Sequence, residues 1–360
     1  MILNGWPSLS SASSVDMKTA IFNNLYFPYN RGGAEEVVRA EIEKRLSQGE
    51  ELILFTTGPK QDSEKIGRLT IYRFPSRYLK LADLPWLGRL LWQLGQFCSL
   101  RAKKIIEAIE TEKPNLALTH NLMGLGWNIP RVLARQGIQQ EHFLHDIQLL
   151  HPSGLVFKGR ERILDSLFAK LYQSLTKSCF KKTAKVISPS RWLLDEHLKR
   201  GFFKKAETEI RPFEAKGIAN ENRHQAKRLL FVGQIEKHKG IFLLLDAFRE
   251  MPDPELRLDI VGDGKLLEKA KQKAEGDKRI VFQGRLNKKA MLDLMQEASL
   301  LVLPSLCYEN YPTVIKQAQA AGLRVLASDL GGTKEAIGQN DRLFSGGDKG
   351  SLKEALKSMF

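Results

Sequence analysis

Short apolar runs alternate with longer segments of helical periodicity along the first half of the chain. Apolar runs at residues 18–25, 51–56, 116–119, 142–145 and 186–188 predict strands. Segments 34–47 and 87–112 repeat apolar residues at three- and four-residue spacing, which predicts helices. A loop containing Gly32 and Gly33 separates the first strand from the first helix.

The same alternation starts again in the second half. Strands are predicted at residues 228–232, 256–261, 280–282 and 300–303, with helices at 242–250, 266–274, 289–298 and 352–359. Alternating strands and helices favour parallel sheets built from right-handed crossovers. The prediction is an α/β protein with two Rossmann-like domains that face each other across a cleft, at 17–212 and 228–360. A disordered leader (1–16) and a linker (213–227) complete the division.

One segment, residues 304–335, is predicted to combine a buried strand, a polar loop, a helix that begins near Pro312, a glycine turn, a second buried strand and a second glycine loop. This order places Glu309 and several backbone amides at the carboxyl end of a parallel sheet, where open α/β folds bind ligands. The first turn of a helix offers unpaired N–H groups and a positive dipole end, so a nucleotide diphosphate is the kind of ligand expected there.

Composition narrows the possibilities only a little. The 360 residues carry a formal net charge of +15, which attracts phosphorylated small molecules, nucleic acid and anionic membranes without choosing among them. Cys98, Cys179 and Cys307 have no metal-type spacing and suggest reduced thiols in a cytosolic protein. The sequence has no transmembrane-length apolar run and no secretory signal pattern.

Several short motifs follow predicted strands, and each has a plain structural alternative. Gly33 and Gly262 lie in turns whose backbone would allow a phosphate or sugar to approach, or they simply form tight turns. Lys239, in the loop that also holds Gln234 and Lys237, is placed to neutralise a departing diphosphate, unless this lysine-rich loop is only solvated. His145 ends a predicted strand and could hydrogen-bond a sugar hydroxyl, although a lone histidine is more often structural.

Motifs for metal, cofactor or P-loop chemistry are missing from the sequence. It has no Cys-x-x-Cys pair, no Asp-x-Asp pair, no G-x-G-x-x-G fingerprint and no Walker loop. Charge neutralisation therefore rests on Lys239 and backbone amides, and we expect no metal and no cofactor.

Taken in order, the Gly-Gly loop, His145-Asp146, the Lys239-Gly240 loop, Gly262-Asp263-Gly264 and the Glu309-Asn310-x-Pro312 segment resemble glycosyltransferase family 4. These are the glycogen-synthase-like retaining transferases of GT-B fold. The resemblance covers residues 17 to the end and is most specific at 304–335. It implies metal-independent transfer of a sugar from a nucleotide sugar to an acceptor hydroxyl, with the anomeric configuration kept.

The resemblance also implies roles for individual residues. Lys239 matches the lysine that contacts the donor diphosphate, and Glu309 matches the first glutamate of a pair that binds donor-sugar hydroxyls. His145 matches a histidine that faces the reacting sugar, and Gly33 matches the loop that closes over the donor. The remaining donor contacts are implied for the backbone of Asn310, Tyr311, Pro312, Thr313 and Val314, for Gly262 in its loop, and for Leu286 beside the nucleobase.

The chain departs from the family pattern at three places. Gln317 stands where the family has the second glutamate, which holds the ribose diol, and its amide loses the charge-assisted hydrogen bond. Gln234 stands where an arginine contacts the phosphates, a task that Lys237 is placed to take over. The sequence also ends at Phe360, before the helices that in this family cross back to the first domain, so we expect those helices to be missing.

Basic and apolar residues interleave between residues 158 and 185, as in a helix that lies on an anionic bilayer. The expected partners are a UDP-, GDP- or ADP-linked sugar, a glycan or lipid-linked acceptor and an anionic membrane surface. The alternative for this segment is a helix whose apolar stripe packs inward. A cytoplasmic enzyme, peripheral on the inner membrane face and acting in polysaccharide or glycolipid synthesis, is the resulting prediction. Two other readings stay open: an epimerase or phosphorylase on the same fold, and a non-catalytic nucleic-acid binder.

Overall fold

The computed structural model describes residues 17–29, 32–98, 103–215 and 227–360. The predicted leader (1–16) and most of the predicted linker lie outside the described residues. The chain divides into two compact units. Among the described residues, those within 1–145, 173–188 and 197–209 form the first unit, and those within 146–172, 189–196 and 210–360 form the second. The units thus alternate along the chain, whereas the predicted domains are contiguous ranges.

The first unit is built on an eight-stranded sheet in the order β3-β4-β2-β1-β5-β6-β7-β8. Neighbours from β4 through β7 run parallel, and β3 pairs antiparallel with β4. The strands are β1 Lys18–Phe22, β2 Glu51–Gly58, β3 Asp62–Ile66, β4 Leu69–Pro75, β5 Leu116–Thr119, β6 Gln139–Phe143, β7 Lys185–Ser188 and β8 Glu207–Ile210.

Helices connect these strands, as crossovers between parallel neighbours require. They are α1 Gly33–Ser47, α2 Trp86–Gly95, α3 Lys103–Glu112 and α4 Ile129–Arg135, while α5 Leu167–Cys179 and α6 Arg191–Leu198 each begin in the second unit and end in the first. Seven consecutive residues of β2 are buried, so the sheet is covered on both faces. Val38 and Ile42 of α1 pack with Ile21 and Leu54 in this core.

The second unit contains a six-stranded, wholly parallel sheet in the order β11-β10-β9-β12-β13-β14. Its strands are β9 Arg228–Val232, β10 Arg257–Val261, β11 Ile280–Gly284, β12 Leu300–Leu303, β13 Arg324–Ser328 and β14 Arg342–Phe344. Its helices are α7 Ile241–Arg249, α8 Leu267–Ala274, α9 Lys288–Glu297, α10 Thr313–Ala320, α11 Thr333–Ala336 and α12 Lys349–Lys357.

Side chains of successive residues in the second sheet pack into two separate hydrophobic cores. Leu300 and Val302 of β12 join one core with Leu244 of α7, while Leu301 and Leu303 join the other core. Because successive strand side chains point to opposite faces, each face is covered by helices. The predicted α/β class with two Rossmann-like parallel sheets is therefore confirmed.

Three element predictions need correction. The predicted strand at 142–145 is Gln139–Phe143, so His145 lies two residues beyond its end. The predicted helix at 87–112 is two helices, α2 and α3, with residues 99–102 outside the described part of the chain. The hairpin of β3 and β4 was not predicted, because the five residues of β3 are all exposed and carry no apolar alternation.

Candidate active site

The carboxyl ends of the second unit's strands meet along one edge of its sheet. The chain runs from β9 to β10 and β11 on one side and then crosses back to β12 on the other side of β9, and ligands bind at such a switch point in open α/β folds. Backbone hydrogen bonds join the loops here: Leu306 N donates to His238 O at 2.8 Å, and Ile235 N donates to Asp263 O at 2.9 Å. The edge is therefore a connected framework of loops.

Lys239 and Glu309 form an ion pair at this edge. Lys239 ends a short 3₁₀ turn after β9, and Glu309 lies in the loop between β12 and α10. Lys239 Nζ donates to Glu309 Oε1 at 2.7 Å, and Ser305 Oγ donates to the same oxygen at 2.5 Å. The structure thus brings together two residues that are 70 positions apart and that the sequence predicted for one site.

Each member of this pair keeps the other charged. Burial alone lowers the pKa of Lys239, but the Glu309 carboxylate outweighs it and the pKa is raised. Burial alone raises the pKa of Glu309, but the ammonium of Lys239 outweighs it and the pKa is lowered. Burial, reinforced by Glu309, raises the pKa of the neighbouring Cys307 thiol to about 12, so it is protonated and a poor nucleophile.

Helix α10 begins directly beyond Glu309 and leaves its first amides without a side-chain cap. Pro312 is the residue before the helix and makes no side-chain cap, whereas Asn287 and Asp348 cap α9 and α12 with their side chains. Pro312 has no N–H, so Asn310, Tyr311, Thr313 and Val314 are the residues of this segment that can donate backbone N–H bonds. A helix start of this kind attracts an anion.

The side chain of Asn310 adds an acceptor to this loop. Its Oδ1 atom is buried and has no hydrogen-bond partner among the described residues. Buried polar atoms in folded proteins are nearly always bonded, so this oxygen suits a hydroxyl or N–H group of a ligand. Asn310 was predicted only through its backbone.

Two residues that sequence reasoning missed make contacts around the start of α6, and one of them bonds to the Asn310 loop. Ser190 Oγ donates to Asn310 O at 2.7 Å. The Glu335 carboxylate accepts from the backbone N–H groups of Arg191 and Trp192 at 2.6 and 2.8 Å, at the start of α6. The sequence signal was present at Ser190, which follows Pro189 immediately before a helix.

The loops after β9 and β10 touch backbone to backbone at Gly262. Gly262 has φ of +141°, and a β carbon there would lie 1.9 Å from the carbonyl oxygen of Gly233. Gln234 is exposed in the adjoining loop. Lys237 is also exposed and lines a cavity of about 960 Å³ together with Lys158, whose Nζ donates to Gly346 O at 2.9 Å.

The remaining predicted donor residues lie on the same unit, partly inside its core. Leu286, Tyr311 and Val314 pack against the core that contains Leu301. Gln317 is half-buried in the middle of α10, one turn after Thr313. The structure therefore places these side chains near α10 and the β11 loop, and their roles in donor binding stay predictions.

His145 belongs to the first unit. Its Nε2 lies 2.7 Å from Nδ1 of His120, and its ring stacks on Phe143 with centroids 4.9 Å apart. Burial lowers the pKa of His145 to about 3, which leaves the imidazole neutral near pH 7. A neutral imidazole has one donor and one acceptor, so His145 is suited to hydrogen bonding rather than to charge neutralisation.

Gly33 is the first residue of α1 in the first unit. The amide of the preceding Gly32 donates to Glu35 Oε2 at 2.7 Å, which is the Glu35 half of a capping box, since Gly32 has no side chain to complete it. The predicted contact of Gly33 with the donor stays a prediction. Residues 30 and 31, within the predicted loop, lie outside the described residues.

The described part of the chain shows no cluster of metal-ligating side chains and no helix that could span a membrane. Residues 17–29, 32–98, 103–215 and 227–360 contain no group of three or more His, Cys, Asp or Glu side chains that could hold a metal ion. None of the helices in these ranges is both long enough and apolar enough to cross a bilayer.

Family models match the two halves of the chain in turn. The model described as Glycosyltransferase Family 4 matches residues 31–212, and that described as Glycosyl transferases group 1 matches residues 226–360. The chain belongs to glycosyltransferase family 4. It is thus a transferase enzyme, which decides against the non-catalytic nucleic-acid binder left open by the sequence.

Two curated relatives illustrate the family. An uncharacterized 42.6 kDa protein in the cps region of Klebsiella pneumoniae is 27% identical over 333 residues, covering 89% of this chain and 87% of that protein. The lipopolysaccharide 1,2-N-acetylglucosaminetransferase of Salmonella typhimurium is 33% identical over 122 residues, which cover 30% of this chain and 32% of that enzyme. The second relative is thus similar over about a third of its length.

Solved structures establish the fold of this glycosyltransferase. Sucrose-phosphate synthase from Thermosynechococcus elongatus aligns with a TM-score of 0.73 at 19% identity, covering 95% of this chain and 89% of that one. HepE from Anabaena, solved in complex with UDP and glucose, aligns with a TM-score of 0.68 at 16% identity and the same coverage. Both neighbours are GT-B glycosyltransferases, and the predicted GT-B fold is confirmed.

Proposed function

We propose that this enzyme moves a sugar from a nucleotide sugar to an acceptor hydroxyl without a metal ion and with the anomeric configuration kept. The observation that carries the proposal is the ion pair between Lys239 and Glu309, 2.7 Å apart beside the uncapped start of α10. One cation, one carboxylate and a set of free amides are the groups that a charged diphosphate and a hydroxylated sugar need.

The donor's diphosphate contacts Lys239 and the amides of Asn310, Tyr311, Thr313 and Val314 in this proposal. An ammonium and a helix start both stabilise negative charge, and they act more strongly at a partly buried site than in water. Sugar hydroxyls bind Glu309, and one of them donates to the unpartnered Oδ1 atom of Asn310. The complex of HepE with UDP and glucose supports a nucleotide-sugar donor for this fold.

Charge stabilisation at the leaving group is the main catalytic effect that we propose. The bond between the anomeric carbon and the diphosphate oxygen breaks while Lys239 and the α10 amides bind the departing anion. The acceptor hydroxyl attacks the anomeric carbon from the same face, and its proton passes to the leaving diphosphate. No protein nucleophile takes part in this mechanism. The Cys307 thiol beside the pair is protonated and therefore a poor nucleophile, which agrees with this mechanism.

The acceptor that we propose is a glycan or a lipid-linked glycan, in polysaccharide or glycolipid synthesis. A relative named for lipopolysaccharide synthesis supports this class. We place the enzyme in the cytoplasm, peripheral on the inner membrane face. Helix α5 supports membrane contact, because Leu167 is 86% exposed and Phe168 and Leu171 are exposed beside it. Leu164 and Tyr172 of the same segment are buried, so part of its apolar stripe packs inward.

Thermal-shift measurements with UDP-, GDP- and ADP-linked sugars test the donor. A ligand that binds only the folded protein raises its melting temperature. At a hundredfold excess over Kd it adds about 2.7 kcal/mol to the free energy of unfolding. We expect one nucleotide class to stabilise the protein in the presence of EDTA. Stabilisation that requires a divalent cation would contradict the metal-free part of the proposal.

Retention is tested on the product. We expect NMR of the isolated glycoside to show the same anomeric configuration as the donor sugar. An inverted product with normal donor binding would overturn the proposed mechanism but leave the donor site standing.

A further inference from the structure

Helix α2 turns its apolar side chains toward solvent. Trp86 is 72% exposed and Leu91 is 61% exposed, although both are large hydrophobic residues. The exposed apolar residues of this helix are Trp86, Leu87, Leu90, Leu91 and Leu94. At about 100° per residue they share one arc of about 140°. An exposed apolar patch of this size marks an interaction surface.

The opposite face of α2 fixes the helix to the first unit. Trp92 is buried and stacks on Tyr78, with ring centroids 6.2 Å apart. Gln96, just after the helix, is buried, and its Oε1 accepts from Gly124 N at 2.7 Å while its backbone oxygen accepts from Trp127 N at 2.8 Å. These contacts hold the helix so that the apolar arc points outward.

The charge around α2 favours an anionic partner. Residues 76–106 contain six basic side chains and one acidic side chain, Asp83. Among the described basic residues, Arg77, Lys80, Arg89, Lys103 and Lys104 are all exposed. Leucine with tryptophan on one face and a basic surround is the composition of helices that lie in a membrane interface, where tryptophan is enriched.

We propose that α2 docks on an anionic lipid bilayer, with the Trp86 and Leu91 side chains among the acyl chains and the basic residues at the headgroups. Clustered Lys and Arg side chains near a membrane add an electrostatic attraction that falls off within a Debye length. Docking through α2 is independent of the donor chemistry. It names a surface for the peripheral membrane placement proposed above, and its use, to bring the first unit to a lipid-linked acceptor, rests on the proposed function.

Vesicle co-sedimentation of the full chain tests the docking. We compare phosphatidylcholine vesicles with vesicles that contain phosphatidylglycerol as well, at low and high salt. We expect the wild type to bind the anionic vesicles and to lose affinity at high salt. We expect the double variant Trp86→Gln/Leu91→Gln to partition at least tenfold more weakly into the same vesicles.

A matched control separates this surface from general hydrophobicity. Ile66 and Val281 are exposed apolar residues outside α2, and we expect the variant Ile66→Gln/Val281→Gln to keep wild-type vesicle binding. Both double variants should keep the wild-type thermal shift with the nucleotide sugar, which would show that they are folded and that the donor site is unaffected. Failure of donor binding in every variant would instead count against the proposed function.

Three outcomes would overturn the proposal. The first is equal weakening of vesicle binding in the two double variants. The second is vesicle binding that the α2 substitutions leave intact while Leu167→Gln/Leu171→Gln in α5 abolishes it. The third is a wild type that ignores anionic vesicles but forms a dimer by light scattering that the α2 variant loses, which would assign the face to a second copy of the chain.

Discussion

Gly240 and Pro304 are packed so closely that no side chain fits between them. A β carbon on Gly240 would lie 1.8 Å from the carbonyl oxygen of Pro304, and Gly240 itself has φ of +70°. This contact joins the loop that carries Lys239 to the loop that carries Glu309. The close approach of the two backbones is therefore one reason why the ammonium and the carboxylate meet.

Gly240→Ala is expected to destabilise the protein by about 3 kcal/mol or more, from left-handed strain plus a clash with backbone that cannot move aside. Gly284→Ala is the matched control, because Gly284 has φ of +67° but nothing within 4 Å of an added β carbon. Gly284→Ala should lower the free energy of unfolding by about 1 kcal/mol, because it adds only the left-handed strain. Urea unfolding measures both variants, and equal losses would show that the Pro304 contact is unimportant.

Lys239→Ala is expected to lower kcat by roughly 10² to 10³, as the loss of other preorganised charge stabilisers does. The variant also leaves the Glu309 carboxylate without its cation, so stability is measured alongside. Lys239→Ala/Glu309→Gln removes that unpaired charge and should recover stability without recovering activity. As a control, Lys271→Ala breaks a surface pair with Glu268 and should change neither quantity. Wild-type turnover in Lys239→Ala would contradict the proposed role.

The ion pair between Lys239 and Glu309 stabilises the protein over a limited range of pH. Because the pKa of Glu309 is lowered, its contribution is complete above the ordinary glutamate pKa and is lost as the pH falls through the lowered value. Because the pKa of Lys239 is raised, its contribution is complete below the ordinary lysine pKa and is lost as the pH rises through the raised value. The difference in unfolding free energy between wild type and Lys239→Ala/Glu309→Gln should therefore be flat from about pH 5 to 10. A slope near pH 7 would show that the pair is not ionised.

Gln317→Glu is expected to tighten donor binding about fivefold, because a carboxylate forms a stronger, charge-assisted bond to a ribose diol than an amide does. The measurement is the Kd of the nucleoside diphosphate by calorimetry. Gln272→Glu, on the exposed surface of α8, adds the same charge to the same unit and should leave Kd unchanged. Weaker binding in Gln317→Glu would place residue 317 beside the phosphates instead.

The sequence predicted the second sheet well because its strands are nearly continuous apolar runs, as in β12. It misplaced β6 because Gln140 and His142 are polar residues in the buried sheet. Gln140 Nε2 donates to Thr119 Oγ1 at 3.2 Å, and that hydroxyl lies 2.9 Å from His142 Nδ1. Such a buried polar network looks like a loop when only hydrophobicity is read.

Helix α2 shows a second limit of prediction from the sequence. The spacing of its leucines correctly predicts that they share a face, but periodicity does not reveal what covers that face. At the candidate site, the resemblance was enough to predict Lys239 and Glu309. The supporting contacts of Ser305, Ser190 and Glu335 depend on loop geometry that brings distant segments together, so they needed coordinates.

His145 is expected to work as a neutral hydrogen-bonding group. Its ring is stacked on Phe143 and bonded to His120, and burial holds its pKa at about 3, so it stays uncharged from pH 5 to 8. The ring carbon and nitrogen NMR shifts of His145 should therefore not titrate in that range. Because Gln can donate and accept as a neutral imidazole does, His145→Gln should keep more activity than His145→Ala and should leave the shape of the pH profile unchanged. A wild-type acid limb between pH 5 and 7 that disappears in His145→Gln would mean that the imidazole gains a proton during the reaction, and the hydrogen-bonding role would then be wrong.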